Sequence, residues 1–173
     1  MVFLISVLLV AVLLTGCRRA PRNTDAIDGG VRNNQRSDAP KTIVSTKIAS
    51  FSCEFSTLDL VEESSLGQNV YVLQAQESEG AVWGSYLSGE TEKQVFETDS
   101  SFMELLQEIV ARYDLAQYNG INYYVSGLPD RYGADLHISY QSEEEIYASN
   151  NQDCFLPLAA MEELQHLFFE QIK

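Results

Sequence analysis

The sequence predicts an α+β domain, in which an antiparallel sheet of short strands has two amphipathic helices packed on one face. Alternation of apolar and polar residues occurs several times in the body of the chain, and turn signals separate the successive strands. Two longer stretches place apolar residues at helical spacing instead, so that each forms one apolar stripe. Strands and helices that each bury one side favour a two-layer packing over a parallel βαβ sheet.

The first half of the body is predicted to be an antiparallel meander. Alternation over residues 48–55 places Ala49, Phe51, Cys53 and Phe55 on one side of a strand. The alternation of Tyr71, Leu73 and Ala75 predicts the next strand, which Glu79-Gly80 turns into a hairpin with residues 81–87. Residues 94–97 add a further short strand after a turn at residues 89–93.

A helix is predicted to begin at Ser101, because Ser101 and Glu104 have the spacing of a capping box. Its apolar stripe consists of Phe102, Leu105, Leu106, Ile109, Val110 and Tyr113. Asn119-Gly120 ends this region, and residues 123–125, 136–140 and 146–148 are predicted as short strands. The second helix begins at Pro157 and has Leu158, Met161, Leu164, Leu167, Phe168 and Ile172 on one side.

The N-terminal 17 residues have a distinct composition. Residues 2–14 are almost wholly apolar and lead into Leu14-Thr15-Gly16-Cys17, which resembles the lipobox of bacterial lipoproteins. The resemblance implies that residues 1–16 are a cleaved signal peptide and that Cys17 carries a diacylglycerol. Two acyl chains would anchor the protein to the cell membrane on its extracytoplasmic side. The alternative is an uncleaved membrane helix flanked by Arg18, Arg19 and Arg22, but residues 2–17 would span only about 24 Å of a roughly 30 Å hydrocarbon core.

Charge divides the rest of the chain. Residues 18–47 hold seven basic and three acidic residues, a net charge of +4, whereas residues 48–173 hold four basic and 22 acidic residues, a net charge of −18. The basic stretch suits anionic lipid headgroups, and the acidic body argues against nucleic acid as a partner. We therefore predict three regions: the signal peptide 1–16, a lipidated Cys17 with a disordered basic tether to residue 42, and an acidic globular domain over residues 43–173. A loop docked on the domain is the alternative for the tether.

The C-terminal half carries a second resemblance. Asn119-Gly120, residues 127–130 leading to Tyr132-Gly133, and Ser139-Tyr140 leading to residues 150–152 resemble a set of uncharacterised exported proteins of Gram-positive bacteria. The resemblance implies a shared domain and no particular chemistry.

Cysteine, histidine and carboxylate residues offer few sites for chemistry. Cys53 and Cys154 could form one disulfide in an oxidising compartment, and two buried thiols are the alternative. His137 and His166 are not at ligand spacing from another His or a Cys, so we expect no metal and no cofactor. No nucleophile or phosphate-binding motif is present, and the 22 acids of the body single out no catalytic pair.

Tyrosines form the most suggestive cluster, since seven of the nine lie between residues 113 and 147. Tyr123 and Tyr124 must point to opposite faces of a strand, so at least one faces outward. With Tyr132 and the Asn119-Gly120 turn, they are a candidate recognition surface for an envelope protein or a glycan, although tyrosines filling an amphipathic sheet are the simpler interpretation.

The sequence thus favours a non-enzymatic, membrane-anchored module that binds or organises a partner in the cell envelope. An envelope hydrolase, or its accessory subunit, with a dispersed active site is the alternative. A concave pocket holding two ionisable groups with perturbed acidity would favour the hydrolase, and a flat or convex surface would favour the binding module.

Overall fold

A computed structural model describes residues 30–58, 64–127 and 132–173. The strands are β1 (Val31–Asn33), β2 (Ile48–Ser56), β3 (Val70–Ser78), β4 (Ala81–Ser88), β5 (Gln94–Thr98), β6 (Asn122–Val125), β7 (Ala134–Tyr140) and β8 (Glu145–Asn150). The α-helices are α1 (Ser100–Arg112) and α2 (Leu158–Phe169), and short 3-10 turns occupy Leu115–Tyr118 and Glu170–Ile172.

The strands form one eight-stranded sheet in the order β1-β6-β8-β7-β2-β3-β4-β5. Strands β2 to β5 are an antiparallel meander, as predicted. All pairs are antiparallel except β6 with β8, which run parallel. The α+β fold with its mostly antiparallel sheet and two helices is thereby confirmed.

Alternation within the strands separates a buried side of the sheet from an exposed one. Phe51, Cys53 and Phe55 of β2 lie in the core beside Leu73 of β3 and Leu136 of β7. The prediction for Ala49 was wrong, because an irregularity between Ile48 and Ser50 shifts the register and buries Ile48 in its place.

Helix α1 has a different cap from the predicted one. Asp99 is the N-cap, and its carboxylate accepts a hydrogen bond from the backbone N–H of Ser101 at 2.9 Å. Asp99 satisfies an N–H that would otherwise be unpaired in the first turn, so the Ser101–Glu104 capping box is not used. The apolar stripe is buried as predicted at most positions, but Leu105 is 48% exposed.

Helix α2 packs against the centre of the core. Its N-cap is Pro157, and Ala160, Met161, Leu164 and Phe168 are buried. Phe168 contacts three aromatic rings, from β2, β5 and α1, at centroid distances of 5.9 Å (Phe51), 6.0 Å (Phe96) and 5.1 Å (Phe102). Both helices pack against β4, and the sheet side opposite them carries no helix among the described residues.

Part of the predicted tether belongs to the folded domain. Strand β1 pairs with β6 at the edge of the sheet, and Ala39 is buried. The buried Asn119 side-chain amide donates to the carbonyl oxygen of Pro40 at 2.9 Å, and the backbone carbonyl oxygen of Asn119 accepts a hydrogen bond from the Lys41 ammonium. Residues 30–42 therefore depart from the tether prediction, because backbone and polar contacts hold them where apolar side chains are scarce. Residues 17–29 lie outside the described part of the chain.

Glu144, beside the tip of the β7–β8 hairpin, holds the segment that precedes β2. Its two carboxylate oxygens accept the backbone N–H groups of Val44 at 3.0 Å and Ser45 at 2.9 Å. These bonds, together with one from the Ser142 hydroxyl, lower the pKa of Glu144 below its ordinary value of 4.5.

We therefore expect the anchoring of residues 44 and 45 to depend on pH. A carboxyl with a depressed pKa in the folded state stabilises that state above its unfolded pKa and loses this effect as pH falls through the folded pKa. Hydrogen exchange of the Val44 and Ser45 amides, corrected for intrinsic rate, should show protection near neutral pH that is lost as pH falls through the depressed pKa of Glu144. Glu144→Gln should abolish this pH dependence, and Glu143→Gln is the matched control. Equal pH dependence in both variants would contradict the assignment.

Candidate functional site

The uncovered side of the sheet is the candidate site, and we call it the open face. Its central side chains alternate with those of the core and are Ser50, Ser52, Glu54, Gln74, Gln76, Trp83, Ser85, Asp135, His137, Tyr147 and Ser149. The strand register aligns them in rows across the sheet. One row runs Trp83, Gln76, Ser50, and a second runs Ser85, Gln74, Ser52, His137, Tyr147.

A cavity of about 380 Å³, the Trp83 cavity, lies over these two rows. Its lining consists of Ser50, Phe51, Ser52, Gln74, Ala75, Gln76, Trp83, Gly84, Ser85 and His137. Every polar side chain in this lining is a serine, a glutamine or the histidine, and none is a carboxylate, lysine or arginine. Trp83 is the only tryptophan of the chain, and it is 55% exposed.

Gln74 is oriented within this cavity. Its Oε1 atom accepts hydrogen bonds from the Ser85 hydroxyl at 3.2 Å and from the Lys93 ammonium at 2.9 Å. Because two donors hold the oxygen, the amide NH₂ is the group through which Gln74 can donate to a ligand. The cavity thus offers one flat aromatic surface beside amide and hydroxyl groups.

A second cavity of about 230 Å³, the Tyr124 cavity, lies toward the other end of the open face. Tyr124, Glu54, Asp135, Ser149 and Asn151 contribute to its lining. Glu54 and Asp135 are direct cross-strand partners in β2 and β7. Their Cβ atoms are therefore about 5 Å apart, the usual distance for residues directly opposite each other.

The structure separates the tyrosines that the sequence grouped. Tyr124 is 41% exposed and lines the Tyr124 cavity, whereas Tyr123 is half-buried and pairs with Asn33 of β1. Tyr132 is exposed but is not among the residues that line either cavity of the open face. Tyr123, Tyr124 and Tyr132 therefore do not share one cavity.

Asn119 does not belong to a recognition surface either, because it is almost fully buried. Its amide donates to the carbonyl oxygen of Glu145 at 3.0 Å, and its Oδ1 accepts from the N–H of Tyr147 at 2.9 Å. Asn119 joins the segment before β2 to β8, so its role is structural. A buried amide with every polar group paired contributes to stability.

Trp83 lines the open face but is not among the site residues predicted from the sequence. The alternation over residues 81–87 predicts a strand there and no site residue. The usable signal was its place between Val82 and Gly84, since alternation puts the sole tryptophan on the outer face when Val82 is buried.

The cysteines lie on the core side of the sheet. Cys53 is fully buried in β2, and the Cys154 sulfur lies 3.5 Å from the sulfur of Met161. Burial raises the pKa of Cys53 well above its ordinary value, and the nearby Cys154 raises it further. Burial also raises the pKa of Cys154. Both are free thiols in the structure, and a bridge between them stays a prediction.

We expect Cys53 and Cys154 both to be free thiols in the purified protein. Both protonated, shielded sulfurs should react slowly with iodoacetamide in the native protein, because the thiolate is the reactive form. In denaturant, peptide mapping should show a label on both Cys53 and Cys154. A linked pair of peptides in the unreduced protein would show a disulfide instead.

Histidines and carboxylates do not gather into a metal site in the described ranges. Nε2 of His137 lies 3.9 Å from Glu145, and Nδ1 of His166 lies 3.7 Å from Glu170. No group of three or more His, Cys, Asp or Glu residues in the described part of the chain could hold a metal ion. None of the helices described is long and apolar enough to cross a membrane. The lipobox at Leu14-Thr15-Gly16-Cys17 lies outside the described residues.

Comparisons with family models, curated proteins and solved structures find no match to this chain.

Proposed function

We propose that this protein is a lipid-anchored binding module on the extracytoplasmic side of the cell membrane, where its open face captures a partner in the cell envelope. One observation carries the proposal: the Trp83 and Tyr124 cavities both lie on the side of the sheet that the helices leave uncovered. The lipobox ending at Cys17 supports the location. The net charge of −18 over residues 48–173 disfavours nucleic acid as the partner.

Lipid attachment is tested in cells that express the full chain. The wild-type protein should incorporate radiolabelled palmitate, and the labelled protein should be found in the membrane fraction. Cys17→Ser should take up no label and should not be retained by lipid. Labelling of the Cys17→Ser variant, or a native protein that still begins at Met1, would overturn the anchor.

Capture by the open face is tested by site-specific photo-crosslinking on intact cells. A photoreactive residue replaces Gln76 on the open face, and the control replaces Leu105, which is exposed on α1. Specific products should form at position 76 and not at position 105. Products from position 105 alone would place the partner on the helical side and refute the proposed face.

The Tyr124 cavity favours a second candidate, an envelope hydrolase. Retaining glycosidases hold their two carboxyl groups about 5 Å apart, and Glu54 and Asp135 face the same cavity from adjacent strands. A hydrolase would release reducing sugar from purified cell-wall glycan and would lose that activity in both Glu54→Gln and Asp135→Asn. No release by the wild-type protein would leave the binding module as the function.

A further inference from the structure

We propose that the Trp83 cavity is a binding subsite for an uncharged stretch of glycan; the inference rests on the proposed function in the cell envelope and names the class of ligand. Such a site needs a flat apolar platform, neutral hydrogen-bonding groups beside it and open access. The Trp83 cavity combines the three.

Trp83 supplies the platform. An indole that remains 55% exposed keeps a large apolar surface in water, which a ligand with an apolar side can cover. Sugar rings have such a side, because their C–H groups gather on one face of the ring. Stacking that face on the indole removes apolar area from water and gains dispersion contacts.

The surrounding side chains match the sugar's hydroxyl groups. Gln76 is the direct cross-strand neighbour of Trp83, and Gln74 and Ser85 are the next cross-strand pair on the same face of the sheet. Side-chain amides and hydroxyls both donate and accept hydrogen bonds, so they can pair with a sugar hydroxyl that acts as either acceptor or donor. His137 is the last residue of this row that lines the cavity, and β7 is three strand spacings, or about 14 Å, from β4, which leaves room for a short oligosaccharide lying across the strands.

Charge selects a neutral ligand. The domain from residue 48 onward has a net charge of −18, yet the lining of the Trp83 cavity contains no carboxylate and no cationic side chain. One charge of each sign borders the lining: the Lys93 ammonium lies 2.9 Å from Oε1 of Gln74, and Glu97 is the cross-strand partner of Trp83. A polyanion would be repelled by the net charge of the body, and neither border charge faces a like-charged neighbour that would make a polycation the preferred ligand. A protein partner would need a more apolar central patch than one tryptophan among serines and glutamines.

The sole tryptophan is also a direct probe of the site. The purified full chain, held in detergent, is titrated with three neutral tetrasaccharides (chitotetraose, cellotetraose and mannotetraose) and with tetragalacturonic acid as the charged control. We expect a saturable change in Trp83 emission with at least one neutral sugar and none with the acidic one. Calorimetry with the same sugar should give the same dissociation constant.

Variants distinguish stacking on Trp83 from an effect of any apolar truncation on the surface. Trp83→Ala should weaken the calorimetric affinity at least about tenfold. Leu105→Ala, which removes an exposed apolar side chain of α1 away from the open face, should leave the affinity unchanged. Circular dichroism confirms that both variants are folded. Gln76→Leu, which keeps the platform and removes an amide, should also weaken binding.

Two results would overturn the inference. One is the absence of heat and fluorescence change with all three neutral sugars at millimolar concentration; the other is unchanged affinity in Trp83→Ala. If crosslinks still form at position 76 on cells, the binding module stands and only the neutral-glycan subsite is lost. If position 76 gives no crosslinks and Trp83 still responds to sugar, the subsite stands without the proposed cellular capture.

Discussion

Phe168→Ala is expected to destabilise the domain by about 3–5 kcal/mol, the usual cost of truncating a fully buried phenylalanine. The ring touches β2, β5 and α1 at once through Phe51, Phe96 and Phe102. Its removal leaves a void that all three elements border. Urea denaturation followed by circular dichroism should show a lower midpoint with an unchanged slope.

The matched control for that variant is Phe169→Ala, which makes the same substitution one residue later. Phe169 is 38% exposed and has one aromatic neighbour, Tyr86, at a centroid distance of 5.8 Å. We expect it to cost about 1 kcal/mol, because part of its surface is already in water. Equal losses from the two substitutions would show that α2 does not insert Phe168 into the core as described.

Periodicity predicted most of the elements because one side of each is buried. Phe51, Cys53 and Phe55 alternate with polar residues, and the same reasoning located β3, β4 and α1. Strand β1 escaped prediction because all three of its residues are exposed, and it joins the sheet through its backbone. Periodicity likewise cannot reveal whether two strands run parallel, as β6 and β8 do.

Local signals were less decisive where two residues could do the same task. Asp99 and Ser101 are both residue types that cap helices. In the structure Asp99, two residues before Ser101, is the N-cap. Likewise, alternation placed Tyr123 and Tyr124 on opposite faces, but it could not show which of them lines a cavity.

The candidate site depends on how neighbouring strands are ordered and aligned in the sheet. The alternation within a single strand does not reveal that alignment. Trp83, Gln74 and His137 meet at one cavity only because β4, β3, β2 and β7 are adjacent and aligned. Gln74 and His137 are separated by about half of the domain's length along the chain, so no local sequence motif contains all three residues. The tyrosine cluster was visible in the sequence because its members are near in the chain, which is a poor guide to contacts across a sheet.

Gly133→Ala is the second substitution with a large expected effect. A Cβ atom at this position would lie 1.9 Å from the carbonyl oxygen of Asn150 and 2.6 Å from the Cα of Asn151. Both are backbone atoms, so no side-chain rotation relieves the overlap, and β7 would have to move away from β8. We expect a loss of about 3 kcal/mol, the upper part of the range for overpacking.

The consequence should reach the Tyr124 cavity, because Gly133, Asn150 and Asn151 all line it. Hydrogen exchange should quicken at the β7–β8 pairs near Ala134, while the β3–β4 hairpin keeps its relative protection. Gly80→Ala is the control: open space surrounds that glycine, so only its φ of +85° opposes a side chain, at a cost of about 1 kcal/mol. If Gly133→Ala unfolds at the same urea concentration as Gly80→Ala, the close approach of β7 to the end of β8 is wrong.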